Sequence, residues 1–235
     1  MNAERLAERL ATVRRRIADA AECAGRDPAG VDLLAVTKGW GVDAAEAAMA
    51  LGLTRLGENR VQEAEPKIAA LPSAEWHLIG PLQSNKVRRA VNAFTALDAL
   101  DSFRLLERIQ AACTEFAVTR AVLLEVNVAG DPAKHGFAPT ELTDALADGS
   151  LTARLDRDTS VQVAGLMTVA PLVSDLEDAR PAFAGLRVLR DRLEDGLGRA
   201  LPVLSMGMSA DLEIAVAEGA TMVRLGTALF GPRAV

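Results

Sequence analysis

Residues 203–227 read VLSMGMSADLEIAVAEGATMVRLGT. Two short apolar runs, Val203 to Met206 and Met222 to Leu225, are each followed at once by glycine and a hydroxyl residue: Gly207 with Ser209, and Gly226 with Thr227. A helix-length segment separates them. Strand, glycine turn, helix and strand make the repeat of a βα unit, in which helices join parallel strands. Six more runs precede these: Asp32 to Thr37, Thr54 to Gly57, Trp76 to Gly80, Phe94 to Leu97, Val122 to Val128 and Val161 to Met167. Most are too apolar to keep one face in water, as expected of strands covered on both sides. The clearest helix between them spans Ser102 to Phe116, with Ser102 as its N-cap and Leu105, Leu106, Ile109 and Cys113 on one face. Eight units in 235 residues suit a (β/α)8 barrel of ~250 residues, whereas a doubly wound sheet carries fewer strands and a glycine fingerprint after the first. The expected fold is an α/β TIM barrel, one domain over residues 1–235. An extra N-terminal helix of about six turns precedes it, since Leu6, Leu10, Val13 and Ile17 recur at helical spacing until Asp27, Pro28 and Gly30.

Composition narrows the partner. Half of the residues are hydrophobic and a quarter charged, which excludes disordered, collagen-like and disulfide-scaffold classes. A net charge of −6 disfavours nucleic acid and acidic membrane surfaces, because both need a positive field. Cys23 and Cys113 stand far apart without a Cys/His cluster, so neither a metal site nor a disulfide is indicated and the reducing cytoplasm is the expected compartment. Charges break every apolar run before the ~18 residues a membrane helix needs, and Glu4 and Glu8 occupy the place of a signal peptide's apolar stretch. The expected partner is a small molecule or another protein.

In a barrel, reactive groups gather just after each strand. The first run ends Leu33-Leu34-Ala35-Val36-Thr37-Lys38, sending an amine straight out of an apolar strand. Desolvation there favours the neutral amine that condenses with an aldehyde; a lysine snorkelling at the barrel rim is the bland alternative. Only Lys38, Lys67, Lys86 and Lys134 are lysines, and the other 22 of the 26 basic residues are arginines. At the last two corners, glycine admits backbone N–H groups to an anion and Ser209 and Thr227 add hydroxyl donors, which is where barrels often hold phosphate. Ser209 and Thr227 also suit helix caps, and Asp211 and Glu213 are awkward neighbours for phosphate. Asn59 can present its amide to a ligand or cap the next helix. His77, alone in an apolar strand, reads as a hydrogen-bonded core residue, and Lys134-His135-Gly136 as a flexible surface loop. The run Gly80 to Lys86 starts a helix on the same rim. With His77 and His135 as the only histidines and no tyrosine, the commonest proton shuttles are scarce.

LLAVTK at 33–38, GENRVQE at 57–63, EWHLIGPLQSNK at 75–86, GLMTV at 165–169 and LSMGMSADLEIAVAEGATMVRLGTALFG at 204–231, in that order, closely resemble the pyridoxal phosphate homeostasis proteins. These are single-domain relatives of the alanine racemase barrel, with the fold type III manner of binding pyridoxal 5'-phosphate (PLP). The likeness covers nearly the whole chain; 148–160 carries no recognisable motif. The resemblance implies that Lys38 forms a Schiff base with PLP. Ser209, Gly226, Thr227 and the Met208 backbone would hold the phosphate, Asn59 would lie beside the ring, and Arg224 would face the pyridine nitrogen. No catalytic residue and no metal ligand is expected. The family role implied is intracellular PLP homeostasis, a monomeric carrier or buffer that could hand the cofactor to apo PLP-dependent enzymes.

Chemistry supports a limited role. A guanidinium only donates, so it leaves the pyridine nitrogen without a full proton and weakens the electron sink. Related racemases add a tyrosine base, and this chain has none. The alternatives are an amino-acid racemase or another fold type III PLP enzyme and, from a different class, a cofactor-free Schiff-base aldolase.

Overall fold

The computed structural model describes residues 2–171 and 175–232. In chain order its elements are α1 (Ala3–Cys23), β1 (Asp32–Val36), α2 (Val42–Ala50), β2 (Arg55–Glu58), α3 (Val61–Ala70), β3 (Glu75–Leu78), α4 (Val87–Ala93), β4 (Ala96–Leu100), α5 (Phe103–Phe116), β5 (Arg120–Glu125), α6 (Pro139–Ala147), α7 (Ser150–Asp156), β6 (Val161–Met167), α8 (Arg180–Leu197), β7 (Val203–Ser205), α9 (Leu212–Ala217), β8 (Met222–Leu225) and α10 (Thr227–Phe230). The strands are parallel and close into a barrel in sequence order, β8 pairing back onto β1 from Asp32–Met222 to Ala35–Leu225. The eight-unit barrel read from the sequence is the fold observed.

Most strand limits move by a few residues, for visible reasons. β4 lies later than Phe94 to Leu97 because Asp98, which reads as a strand breaker, is buried and partnered by His77 at 3.0 Å. β2 runs on to Glu58, whose carboxylate meets Lys67. β5 ends at Glu125 instead of continuing to Val128, because Val126 bridges to Phe137 of the following loop. Helix α5 is as expected, with Ser102 Oγ accepting the Leu105 N–H at 3.3 Å.

The core has two parts. A large apolar layer lies between the helices and the outer face of the barrel, and two small clusters, Leu34–Val36–Met222 and Ala99–Leu123–Met167, line the inside. Strand side chains alternate between faces. Lys38 therefore continues the inward row of Leu34 and Val36, Arg224 follows Met222, and Glu125 follows Leu123. At Gly165 a Cβ would stand 1.9 Å from the Val203 carbonyl oxygen, so only glycine lets β6 approach β7 there.

Helix α1 buries Leu6, Leu10, Val13, Ile17 and Ala21 against α9 and α10, each large side chain contributing roughly 1.5–3 kcal/mol. It stops at Cys23, before the Asp27-Pro28 turn anticipated from sequence. Its polar side is tied to the segment that joins β7 to β8. Arg16 pairs with Glu213 at 2.5 Å and donates to the Ser209 carbonyl at 3.1 Å, while Arg26, just beyond, donates to the carbonyls of Val216 and Ala220. Among the described residues, no helix is long and apolar enough to cross a membrane.

Candidate functional site

Closure of the barrel sets β1 between β8 and β2, so the residues that follow these three strands become neighbours. Lys38, half-buried, leaves the end of β1, and its Nζ donates to Asn59 Oδ1 at 3.4 Å, a long hydrogen bond. Asn59 is not the cap of α3; Arg60 holds that position. On the other side Gly226 follows β8, and a Cβ there would lie 3.4 Å from the Val36 carbonyl oxygen, two residues before Lys38.

The two hydroxyl corners are joined. Ser209 Oγ accepts the Ala228 N–H of α10 at 3.0 Å, although 19 residues separate them. Neither Ser209 nor Thr227 is an N-cap: α9 begins after Asp211 and α10 after Gly226. The turn that swings Ser209 toward α10 depends on Gly207, whose φ of +93° favours glycine and whose Cβ would meet the Ala215 Cβ at 2.5 Å. Met208 differs from expectation. Its N–H donates to Asp211 Oδ1 at 2.6 Å, so a phosphate reaching that donor has to displace a carboxylate. Its side chain is exposed, as is Thr227.

Arg224 is buried inside the barrel, with its two terminal nitrogens donating to Ser205 Oγ and the Thr168 carbonyl, each at 2.8 Å. These two bonds fix the plane of its fork. Burial pulls its pKa below the ordinary guanidinium value, while Asp98, Glu125 and Asp211 oppose that; the group stays protonated. Beneath it, His77 Nδ1 lies 3.0 and 3.1 Å from the two Asp98 oxygens, as expected for a partnered core histidine. Burial alone would lower the His77 pKa, but the Asp98 carboxylate outweighs it, and the pKa rises above its ordinary value. Asp98 thus acts on both His77 and Arg224. Glu125 Oε2 is buried without a hydrogen-bond partner, and burial, with Asp101 nearby, pushes that carboxyl above the usual range.

One functional support was not singled out from the sequence. Lys67 of α3, almost wholly buried, donates to Glu58 Oε1 at 2.6 Å and to the Thr37 carbonyl at 2.8 Å, and the Thr37 hydroxyl donates to the same Glu58 oxygen at 2.6 Å. The backbone immediately before Lys38 is therefore held by a buried ion pair. The signal for it was a lysine nine residues after a strand-end glutamate, in a chain with only four lysines. Lys134, read as part of a flexible loop, instead donates to the carbonyls of Val169 and Ala170, at 3.1 and 2.6 Å. Trp40, two residues beyond Lys38, packs on Phe230 of α10 with ring centres 5.9 Å apart. Cys23 is exposed and Cys113 buried.

The donor set is an amine, an amide, a guanidinium, hydroxyls and glycine-flanked backbone N–H groups, with Asp211, Asp98 and Glu125 as the opposing charges. It suits an aldehyde-bearing, anionic ligand such as PLP, and among the described residues no group of three or more His, Cys, Asp or Glu could hold a metal ion.

The chain matches the alanine racemase N-terminal domain over residues 9–234. It is 42% identical over 228 residues to the pyridoxal phosphate homeostasis protein of Aquifex aeolicus, covering 96% of this chain and 97% of that one. The protein of the same name from Escherichia coli is 37% identical over 240 residues, covering 97% of each. Among solved structures, PipY of Synechococcus elongatus with PLP bound is 37% identical, with a TM-score of 0.82 over 96% of this chain and 100% of that one. Alanine racemase of Clostridium difficile, 14% identical with a TM-score of 0.74 over 94% of this chain and 60% of its own, shares the fold.

Proposed function

This chain belongs to the pyridoxal phosphate homeostasis protein family, and on that premise we propose that it binds PLP through Lys38 as one domain and serves as an intracellular carrier and buffer of the cofactor, without robust catalysis of its own. The observation that carries this reading is the convergence of the Lys38 amine, the Asn59 amide and the joined Ser209–Ala228 corner at the C-terminal end of one barrel. PipY with PLP bound, a relative of nearly the same length, supports it.

The cofactor, when bound, supplies an aldehyde that condenses reversibly with an amine and a ring that can withdraw electrons. Lys38 would provide the amine, aimed by Asn59 Oδ1. Ser209, Gly226 and Thr227 would hold the phosphate, with the Met208 N–H available to it only if Asp211 gave that donor up. Arg224, oriented by Ser205 and Thr168, would donate to the pyridine nitrogen while keeping its own proton, so that the ring would be a weak electron sink. A racemase needs a second base opposite the lysine; no tyrosine exists in the sequence, and Nδ1 of His77 is already paired with Asp98. Holding, masking and releasing the aldehyde is the chemistry left, with apo PLP-dependent enzymes as its receivers and a monomer in the cytoplasm as the acting species.

Purified protein loaded with PLP should be yellow and bleach on borohydride, with the reduced adduct on the Lys38 peptide. Added amino acids should not acquire solvent deuterium at the α-carbon at a catalytic rate. A colourless protein unaffected by PLP would sink the reading, and rapid deuteration would replace the carrier with an enzyme.

A further inference from the structure

A cavity of about 290 Å³ enters the barrel from the end opposite Lys38. Its rim is built from the first residues of three strands, Asp32 of β1, Arg55 of β2 and Glu75 of β3, with Arg55 pairing to the other two at 2.6 and 3.0 Å. Its walls include the small side chains of Ala96, Ala121 and Ala164, and further in it reaches His77 and Asp98. Met222 bounds it on β8. Side chains alternate along a strand, so Arg224 is the next to point inward after Met222, about 6.6 Å further along. The cavity that holds the His77–Asp98 pair therefore ends one inward step beneath the arginine proposed to face PLP.

Arg224 is a buried cation whose fork donates to two uncharged oxygens, Ser205 Oγ and the Thr168 carbonyl. Its charge is balanced across space by Asp98, Glu125 and Asp211. Of these three, among the described residues, only Asp98 is hydrogen-bonded to a group that titrates near neutral pH. His77 Nδ1 is committed to that carboxylate, so the imidazole gains and loses its proton at Nε2. The His77 side chain keeps 10% of its surface exposed and that of Asp98 keeps 1%, so the imidazole exchanges protons with the cavity while the carboxylate stays dry. Glu75 and Arg55, the other charged groups that act on His77, are paired with each other. With the proton on His77 the His77–Asp98 pair is neutral. With the proton off, the Asp98 charge is left over, opposes Arg224 and weakens the positive field that an anionic ligand meets.

We propose that His77 and Asp98 are positioning residues that act through Arg224: a proton taken up by His77 from the N-terminal end of the barrel tightens PLP at the C-terminal end, and its loss loosens PLP. The proposal rests on PLP occupying the site at Lys38 and Arg224. Linkage makes the coupling reciprocal, so bound PLP holds the proton on His77 more tightly by the same factor.

With two histidines in the chain, the test is direct. The imidazole NMR signals of His77 and His135, told apart with His135→Gln, are titrated with and without PLP on the otherwise unaltered protein. The His77 midpoint should rise by about 0.7 on the pH scale when PLP is bound, and the dissociation constant of PLP should grow about fivefold as pH rises through that midpoint, at the low end of usual couplings. His77→Gln combined with Asp98→Asn replaces the pair by two uncharged amides and should remove this fivefold change, while the Lys38 amine and the PLP phosphate titrate alike in both proteins. A His77 midpoint that PLP leaves unmoved, or equal pH dependence of PLP affinity in parent and double variant, overturns the proposal. Visible absorption of bound PLP with an unmoved His77 midpoint overturns the coupling alone; no such absorption at any pH overturns the cofactor reading and the coupling with it.

Discussion

Ser209 and Ala228 meet across the gap between the last two corners of the barrel, the serine hydroxyl accepting the backbone N–H at 3.0 Å. The corner after β7 is thereby fastened to the first turn of α10, and Arg16 of α1 holds it from outside through the Ser209 carbonyl.

Removing either hydroxyl of this corner should loosen PLP without unseating it. Ser209→Ala and Thr227→Val each delete one donor to a charged acceptor, a loss of about 1.5–3 kcal/mol, or roughly 10- to 150-fold in dissociation constant. Equilibrium dialysis of PLP against each variant measures it. Unchanged affinity in both would contradict the phosphate assignment.

Lys38→Ala should abolish borohydride-trapped cofactor and leave the melting temperature close to that of the parent, because a half-buried residue at the barrel mouth supports little of the core. A variant that stays yellow, with label on Lys86 or Lys134, would move the anchor elsewhere.

Lys67 and Glu58 should behave as a buried pair. Lys67→Met alone strands a carboxylate, and Glu58→Gln alone strands an ammonium, at about 3–5 kcal/mol each; Lys67→Met with Glu58→Leu should recover much of that loss. Urea denaturation of the four proteins gives the comparison. Single and double variants equally unstable would show that the pair is not the unit that matters.

His77 should make stability depend on pH in one direction. Its folded pKa is raised, so its contribution is complete below the ordinary value of 6.5 and is lost as pH rises through the folded value. Asp98, Glu75 and Arg55 are the charged groups that act on it. The melting temperature of the parent should fall more over that rise than that of His77→Gln, measured side by side. Parallel curves would refute this role.

The sequence carried the architecture because each inward row is short, apolar and closed by a glycine or polar corner: Val161–Met167 and Met222–Leu225 coincide with β6 and β8. It misplaced β4 because Asp98 looks like an interruption until His77 is seen across the strand pair, and no local pattern announces a partner 21 residues away. The position of Lys38 just past the end of β1 was legible from the strand pattern alone, whereas the role expected of Arg224 came from the family resemblance. Asn59 needed the fold to choose between cap and contact. The Lys67–Glu58 pair escaped notice because one partner lies on a strand and the other inside a helix that otherwise looks solvated. Asp211 was read as an awkward neighbour for phosphate, and only the fold shows its carboxylate on the Met208 N–H.

The contact of Trp40 with Phe230 gives the molecule an optical reporter of its own. The chain contains two tryptophans and no tyrosine, and Trp76 is buried away from the mouth with its indole N–H on the Leu71 carbonyl. Excitation therefore resides in only two indoles. One of them, two residues beyond Lys38, packs on Phe230 of α10, so with the vitamin seated as proposed, its loading and unloading should be followed in real time by the dimming and recovery of intrinsic fluorescence, with no dye attached.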